Sequence, residues 1–292
     1  MYTDLMGDVR YKVNLHMHTT LSDGALAPVQ AASRYLAAGY DAVALTDHWF
    51  FGHGGDMAGM TVLSGAEYNL GGNDCGGGVY HIVGVGMTRE PLVSRSDTPQ
   101  QVIDRIRAAG GAVILAHPAW SLNTPEQLLA LSHVDATEIY NSIANFRDSR
   151  RSDSSLIVDM LASRGRFWPL VAADDTHYYE DGEACASWIM VRAEDNSQRE
   201  LVKSIRRGDF YATQGPEVHL VPEGDGYCVK CSPVSEIVFF SNLAWAPRVF
   251  EGAELCYAHY VPLEGEKYLR AQVKDAEGRL AWTNCVRLDK KK

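Results

Sequence analysis

The sequence predicts an α/β protein with a parallel-stranded core, followed by a small antiparallel β region. Three observations predict it. Strand-like runs alternate with helical stretches from Val13 to about Arg207, the pattern of successive β-α-β units. Imidazole and carboxylate residues fall at the ends of several of those runs: His16 and His18, His48, Glu67, His117, Asp175 and His177. Side chains gathered from C-terminal strand ends are how a (β/α) barrel builds its site, which favours a barrel over an open doubly wound sheet. From Glu217 to Leu288 the chain turns to short alternating runs, broken at Glu223-Gly224, Glu264-Gly265 and Glu277-Gly278. The expected division is a barrel over 1–216 and a small all-β domain over 217–292.

In order, the first unit is a strand over Val13–His18, a Ser22-Asp23-Gly24 turn and a helix from Ala27 to Ala38. Pro28 suits the first helical turn and Gly39 the stop. Ala42–Thr46 is the second strand and Thr61–Ala66 the third, with Gly52–Gly59 as loop between them. Gly71–Gly78 leads to a fourth strand, Tyr80–Val85, and Thr98-Pro99 opens a helix that Gly110-Gly111 ends. Ala112–Ala116 is followed by His117-Pro118, a short helix from Thr124 and a strand over Ala136–Tyr140. A helix from Asp148 to Ser163 precedes strand Pro169–Ala173. Ser187–Arg192 and a helix over Asn196–Arg207 complete the first part.

The chain has 292 residues, 46% of them hydrophobic and 22% charged, as in an ordinary globular protein. A net charge of −10 argues against a nucleic-acid surface, which needs basic patches. Met1 to Lys12 lacks an apolar core of signal-peptide length and no run approaches a membrane span, so neither membrane nor export is expected. The six cysteines are scattered, and only Cys228 and Cys231 show a Cys-x-x-Cys spacing. Reduced thiols and a cytoplasmic setting are the expectation.

Strand side chains alternate, so His16 and His18 share one face while Leu15 and Met17 share the other. By the same parity Val113, Leu115 and His117 share a face, as do Val171, Ala173, Asp175 and His177. His81 begins its strand rather than ending it, and must reach the site from the incoming loop. Six of the ten histidines thus gather with carboxylates at one predicted end. Such a set has the donors of a metal site with N and O ligands. His53, His133, His219 and His259 lack this setting and read as surface or packing residues.

These residues carry a resemblance. His16-x-His18, Ser22-Asp23-Gly24, Thr46-Asp47-His48, Gly65-Ala66-Glu67, His81, Ala116-His117-Pro118 and Asp175-x-His177 resemble, in order, the motifs of the PHP (polymerase and histidinol phosphatase) superfamily. The resemblance spans about residues 12 to 215. It implies a distorted (β/α)7 TIM-like barrel with two to three divalent metal ions at its mouth. Carried over by motif, His16, His18, Glu67 and Asp175 would hold the first ion, with Glu67 bridging to a second held by His81 and His117. Asp23, His48 and His177 would hold the third. Zinc, manganese and iron all suit such donors. Glu67, Asp175 and His177 are the expected catalytic residues.

Asn141 is a candidate substrate contact, and Arg147 and Arg150 candidate phosphate contacts, because a guanidinium fork binds two oxygens at once. Asp47 and Asp174, each next to a ligand, are placed to orient imidazoles. The expected activity is hydrolysis by a metal-bound hydroxide, most simply of a small phosphate monoester such as a nucleotide or sugar phosphate. No nucleic-acid polymer is expected as partner. The alternative is a carbamate, amide or ester hydrolase on the same metals; a non-catalytic metal-binding module ranks below both.

Overall fold

The computed structural model describes residues 1–72 and 78–288; Cys75 and the middle of the Gly71–Gly78 loop lie outside the described residues. The strands are β1 (Val9–Asn14), β2 (Ala42–Ala44), β3 (Met60–Leu63), β4 (Gly65–Leu70), β5 (Tyr80–Val85), β6 (Ala112–Leu115), β7 (Ala136–Asn141), β8 (Leu170–Ala173), β9 (Trp188–Arg192) and β10 (Phe210–Thr213). Then follow β11 (Val218–Glu223), β12 (Gly226–Phe240), β13 (Val249–Tyr260), β14 (Tyr268–Lys274) and β15 (Leu280–Trp282). The helices are α1 (Pro28–Ala37), α2 (Pro99–Ala108), α3 (Pro125–Leu129), α4 (Ser155–Ser163) and α5 (Gln198–Arg207). Local chemistry explains their starts. Thr98 and Thr124 each accept a hydrogen bond from the backbone three residues on, and Gln101 and Gln127 reach back to them. Gly208 ends α5 in the left-handed conformation, φ 72°.

The expected closed barrel is replaced by two sheets. One runs β11-β12-β14-β15-β10-β9-β1-β2-β3 and ends in a short edge strand, Gly55–Met57, inside the stretch expected as loop; β13 also pairs with β12. The other is β8-β7-β6-β5-β4. Between them the ladder thins to isolated pairings, Met17 with Thr176 and His48 with Glu67. The core is also not all parallel. β4 and β5 are joined by a hairpin, so β5 runs antiparallel to β4 and to β6. That reversal brings the start of β5, and His81 with it, to the end where the other strands finish. The predicted third strand is two strands, β3 and β4, with Glu67 inside the second. The predicted helix from Asp148 begins only at Ser155, after a π-turn over Ala144–Asp148.

One apolar cluster fills the space between the sheets. Val13, Leu63, Val83, Ile114, Ile139 and Ile189 belong to it, and so does Trp282 from β15. Trp282 is fully buried and stacks on Tyr140 at 5.6 Å. A second cluster packs α2 against the outer faces of β5 and β6. The C-terminal strands β11–β14 enclose a third, and β15 joins them to β10. The N-terminus is fastened too: Asp4 pairs with Arg10 of β1, and Glu217, just before β11, accepts from Tyr2 Oη at 2.5 Å and Leu5 N at 2.6 Å. No helix among the described residues is long and apolar enough to cross a membrane.

Arg270 on β14 is wholly buried, and its guanidinium grips Asp159 of α4 through Nε at 2.7 Å and Nη2 at 2.6 Å. Removing one partner strands the other charge in the interior. Asp159→Ala should therefore cost about 3–5 kcal/mol in urea unfolding, and adding Arg270→Met should recover much of it. Equal stability of wild type and Asp159→Ala would show that the pair does not bind β14 to α4.

Candidate metal centre

The residue pattern at the open end puts donors of several chain segments around one carboxylate. Glu67 is 1% exposed. Its Oε2 lies 3.3 Å from His16 Nε2, 3.2 Å from His18 Nε2 and 3.1 Å from His48 Nδ1. Its Oε1 lies 2.7 Å from His81 Nδ1 and 3.6 Å from His117 Nε2. Asp175 Oδ1 is 3.0 Å from His18 Nε2 and 3.2 Å from His16 Nε2. Asp23, half exposed, stands 3.6 Å from His177 and 3.8 Å from His48. Three overlapping groups result, each with donor atoms within 4.8 Å of one another: His16, His18, Glu67 and Asp175; Glu67, His81 and His117; and Asp23, His48 and His177 with His18.

The backbone that presents them departs from strict alternation. Leu15 packs inside with the main cluster, whereas Met17 packs under α1, so alternation breaks just before the histidine pair. Val113 and Leu115 face outward against α2 while Ile114 and Ala116 face inward. Parity alone would thus turn His117 away. A left-handed backbone at His117, φ 29°, redirects it, and Asp175 has φ 53°. Such conformations are costly for residues with a side chain and collect at functional sites.

The charges explain why the site suits cations. Burial by itself would lower the His16 and His18 imidazoles, but neighbouring carboxylates outweigh it. His18 is lifted to about 9, chiefly by Asp175 and Glu67. Conversely, burial would raise Glu67, and His16 and His81 hold it well below the usual carboxylate range instead. Burial would raise Asp175 too, but His16, His18 and His177 hold it low. The cluster is an anionic pocket that demands positive charge. Asp175 Oδ1 and His48 Nδ1 are moreover buried without a hydrogen-bond partner, which a coordinating cation would supply. The donor set fits divalent ions with nitrogen and oxygen ligands.

Several residues around the cluster carry supporting roles. Glu138, 1% exposed, accepts from His16 Nδ1 at 2.7 Å, His117 N at 2.8 Å and Asn141 Nδ2 at 2.8 Å. It fixes the His16 ring so that Nε2 faces Glu67 and Asp175. Parity puts Glu138 and Asn141 on opposite faces. A bulge in β7, where Val171 and Ala172 pair with Glu138 and Tyr140, brings both to the site. Asp47 accepts from Thr19 N, Thr19 Oγ1 and Ser22 Oγ, tying the turn after His18 to the residue before His48. Asp174 takes three backbone N–H groups and Tyr35 Oη; burial nonetheless raises it to about 6. Glu183, absent from the sequence reading, caps the turn after His177 through His177 N, Tyr178 N and Thr176 Oγ1.

A small cavity of about 100 Å³ opens on the cluster, lined by His48, Glu67, His81, His117, Trp120, Asn141, Ile143, Ala144, Asp175 and His177. Trp120, also not anticipated, stands edge-on to His81 and His117 with ring centroids 5.4 and 5.0 Å away. Asn141 reaches the cavity but gives amide protons to Glu138 and to Asp175 at 3.1 Å. Arg150 is exposed and is not in the lining. The π-turn that carries Arg147 starts at Ala144 of the cavity wall; the Arg147 side chain lies outside the described residues.

No protein-family model and no curated protein match the chain. Among solved structures, a two-domain protein from Bacteroides vulgatus containing a predicted PHP-like metal-dependent phosphoesterase is similar over 98% of both chains, with 14% identity and a TM-score of 0.56. The chain therefore has the fold of that PHP-like protein, as its motifs implied. An amidohydrolase from Chromobacterium violaceum with bound sulfate and no metal is similar over 59% of this chain and 89% of its own, with 18% identity and a TM-score of 0.43. An endonuclease Q bound to a 27-mer duplex with an abasic lesion is similar over 68% of this chain and 57% of its own, with 13% identity and a TM-score of 0.47. The expectation of no nucleic-acid partner does not stand, since its ground was the net charge. A net negative charge is no ground for excluding such a partner, because charge summed over a chain says little about the field at one mouth.

The turn that presents Asp23 depends on Gly24. A Cβ there would meet His18 O at 2.2 Å and Thr19 N at 2.6 Å, both backbone atoms. Gly24→Ala should lower the melting temperature by several degrees, about 1–3 kcal/mol of overpacking. An unchanged melting temperature would show that the turn yields freely.

Proposed function

We propose that the chain is a metal-dependent hydrolase, and within that class a phosphoesterase acting on small phosphate monoesters such as nucleotide or sugar phosphates. The observation that carries this reading is the pair of buried carboxylates, Glu67 and Asp175, ringed by imidazoles with donor atoms left unpaired. His16, His18, Glu67 and Asp175 would hold one cation; Glu67, His81 and His117 a second; Asp23, His48 and His177 a third. Zinc, manganese and iron suit the donors. Bound there, divalent cations lower the pKa of a coordinated water and take up the charge that develops on a phosphoryl oxygen.

The chain's own groups set the stage for that chemistry. Glu138 holds the His16 Nδ1 proton, and the Asp175 carbonyl holds the His177 Nδ1 proton at 2.8 Å. Each ring thereby keeps Nε2 as the free lone pair. Asn141 fixes the Asp175 carboxylate by its amide, a positioning role more than a substrate contact. Arg147 is the guanidinium we assign to a substrate oxygen, because its turn begins at the cavity wall. In this reading residues 1–216 carry the catalytic unit and 217–292 the appended β domain, and the protein works in the cytoplasm, where Cys185, Cys228, Cys231, Cys256 and Cys285 stay free.

A second reading has its own support. The described cavity lining holds no arginine or lysine, and Trp120, Ile143 and Ala144 give it an apolar wall. That wall favours an amide, carbamate or ester over a phosphate. The deciding assay offers metal-loaded protein phosphate monoesters, carbamates, carboxylic esters and a duplex with an abasic site, with added Mn²⁺ or Zn²⁺. Phosphate release from a monoester is expected; turnover only of carbamates or esters would replace the phosphoesterase reading by the second. Glu67→Gln should abolish metal binding and turnover together. Glu138→Gln should weaken metal affinity about 10–100-fold with little loss of fold, measured by titration calorimetry on chelator-stripped protein. Unchanged affinity would remove Glu138 from the orientation of His16.

A further inference from the structure

We propose that Trp120 selects the leaving group of the substrate by stacking on the face of its ring, and that the favoured esters are those whose alcohol carries an aromatic ring. The proposal rests on the phosphoesterase reading and narrows it: among phosphate monoesters, arylmethyl phosphates rank above sugar phosphates.

Trp120 shares the cavity wall with His81, His117, Glu67 and Asp175, so a reacting group held among those donors lies beside the indole. The indole stands 5.4 Å from the His81 ring and 5.0 Å from the His117 ring, with interplanar angles of 71° and 75°. Both contacts are edge-to-face. Neither imidazole covers the indole by flat stacking, and no other ring contacts it among the described residues. The side chain is half-buried, held by protein yet open to the cavity. Its backbone is braced. The turn after His117 closes through Ser121 N to His117 O at 3.1 Å and Asn123 N to Pro118 O at 3.0 Å. Asn123 Nδ2 ties that turn to Val79 O, just before β5, at 2.7 Å. Ala119 N ties it to Ser154 Oγ, just before α4, at 3.2 Å. An indole with two rotatable bonds on such a turn offers a large contact face at little cost in entropy.

The rest of the wall decides which kind of ring suits that face. Ile143 and Ala144 present no polar side-chain atom. Asn141 has none to spare: its amide donates to Glu138 and Asp175, and its carbonyl accepts from Ala144 N at 3.2 Å. Outside the cation donors, the Trp120 indole N–H is the one uncommitted polar side-chain group of the described lining. A sugar ring, with a hydroxyl on most of its carbons, would leave several of them unpaired against this wall, each at a cost. An aromatic ring leaves none, and its face matches the indole. The cavity, at about 100 Å³, is well below the roughly 300–1,000 Å³ of pockets that enclose a whole ligand. The ring next to the reacting group is therefore the part of the substrate that this wall selects.

The test compares benzyl phosphate, propyl phosphate and glucose 6-phosphate, all esters of primary alcohols, on metal-loaded wild type, Trp120→Leu and Trp120→Phe. Wild type should show kcat/KM for benzyl phosphate about 10-fold above that for propyl phosphate, as expected for one aromatic contact, and above that for glucose 6-phosphate. Trp120→Leu keeps apolar bulk against His81 and His117 but has no ring face, and should bring the benzyl-to-propyl ratio close to one. Trp120→Phe should keep part of it. A merely structural role, through loss of metal or packing, would lower all three rates together and leave the ratio as it was; that result overturns the proposal. So does a wild type that treats benzyl and propyl phosphate alike, or one that prefers glucose 6-phosphate. Should none be hydrolysed, the phosphoesterase reading falls by itself. Benzylphosphonate and propylphosphonate, whose carbon–phosphorus bond resists hydrolysis, then decide the role of Trp120 by calorimetry on metal-loaded protein. Tighter binding of benzylphosphonate, lost in Trp120→Leu and accompanied by a tryptophan fluorescence change missing in Trp120→Phe, upholds it; equal binding of the two phosphonates ends it.

Discussion

The constraint on which the structure depends is the Glu67 carboxylate, buried in the middle of β4 with both oxygens facing histidines. A charge so placed is stable only if positive charge surrounds it, because burial penalises an isolated carboxylate by several kcal/mol. Five imidazoles from four chain segments lie within 3.6 Å or less of its oxygens. Those segments must therefore finish at one place. Beside Glu67 the sheet ladder thins to isolated bridges, His48 with Glu67 and Gly52 with Gly65, and the side chains of the cluster gather there.

The same constraint explains the second ring of polar residues. Each segment that brings an imidazole or carboxylate to the cluster ends in a turn or an irregular stretch whose backbone needs partners, and Asp47, Asp174, Glu138 and Glu183 provide them. Each carboxylate binds two or more groups, so the imidazoles sit on a braced frame rather than on flexible loops. Left-handed backbone at Trp49, His117 and Asp175 belongs to the same frame. The strain is sustained because the surrounding hydrogen bonds over-determine the conformation.

The C-terminal strands add to this frame from the opposite side of the core. Trp282 packs into the cluster between the two sheets, and Arg270 reaches α4 through Asp159. The β region thus shares the core of the part that carries the site. An apolar ring and a buried ion pair do different work there: the first fills volume, the second fixes which faces meet.

The sequence by itself indicated the imidazole and carboxylate set, most of the strands and helices and the start of most helices, because these depend on residue type, short spacing and capping within a few residues. His16, His18, Asp23, His48, Glu67, His81, His117, Asp175 and His177 were all legible as candidates, and the structure gathers them. Only the tertiary structure decided how they are brought together. The split into two sheets, the antiparallel course of β5, the bulge that turns Glu138 and Asn141 to one side, and the redirection of His117 all arise from pairings between distant segments. Alternation along a strand carries no record of a bulge or a left-handed residue at its end. Likewise nothing near Trp120 in the chain announces His81; a contact across 39 residues is set by the fold, since only packing brings the two rings together.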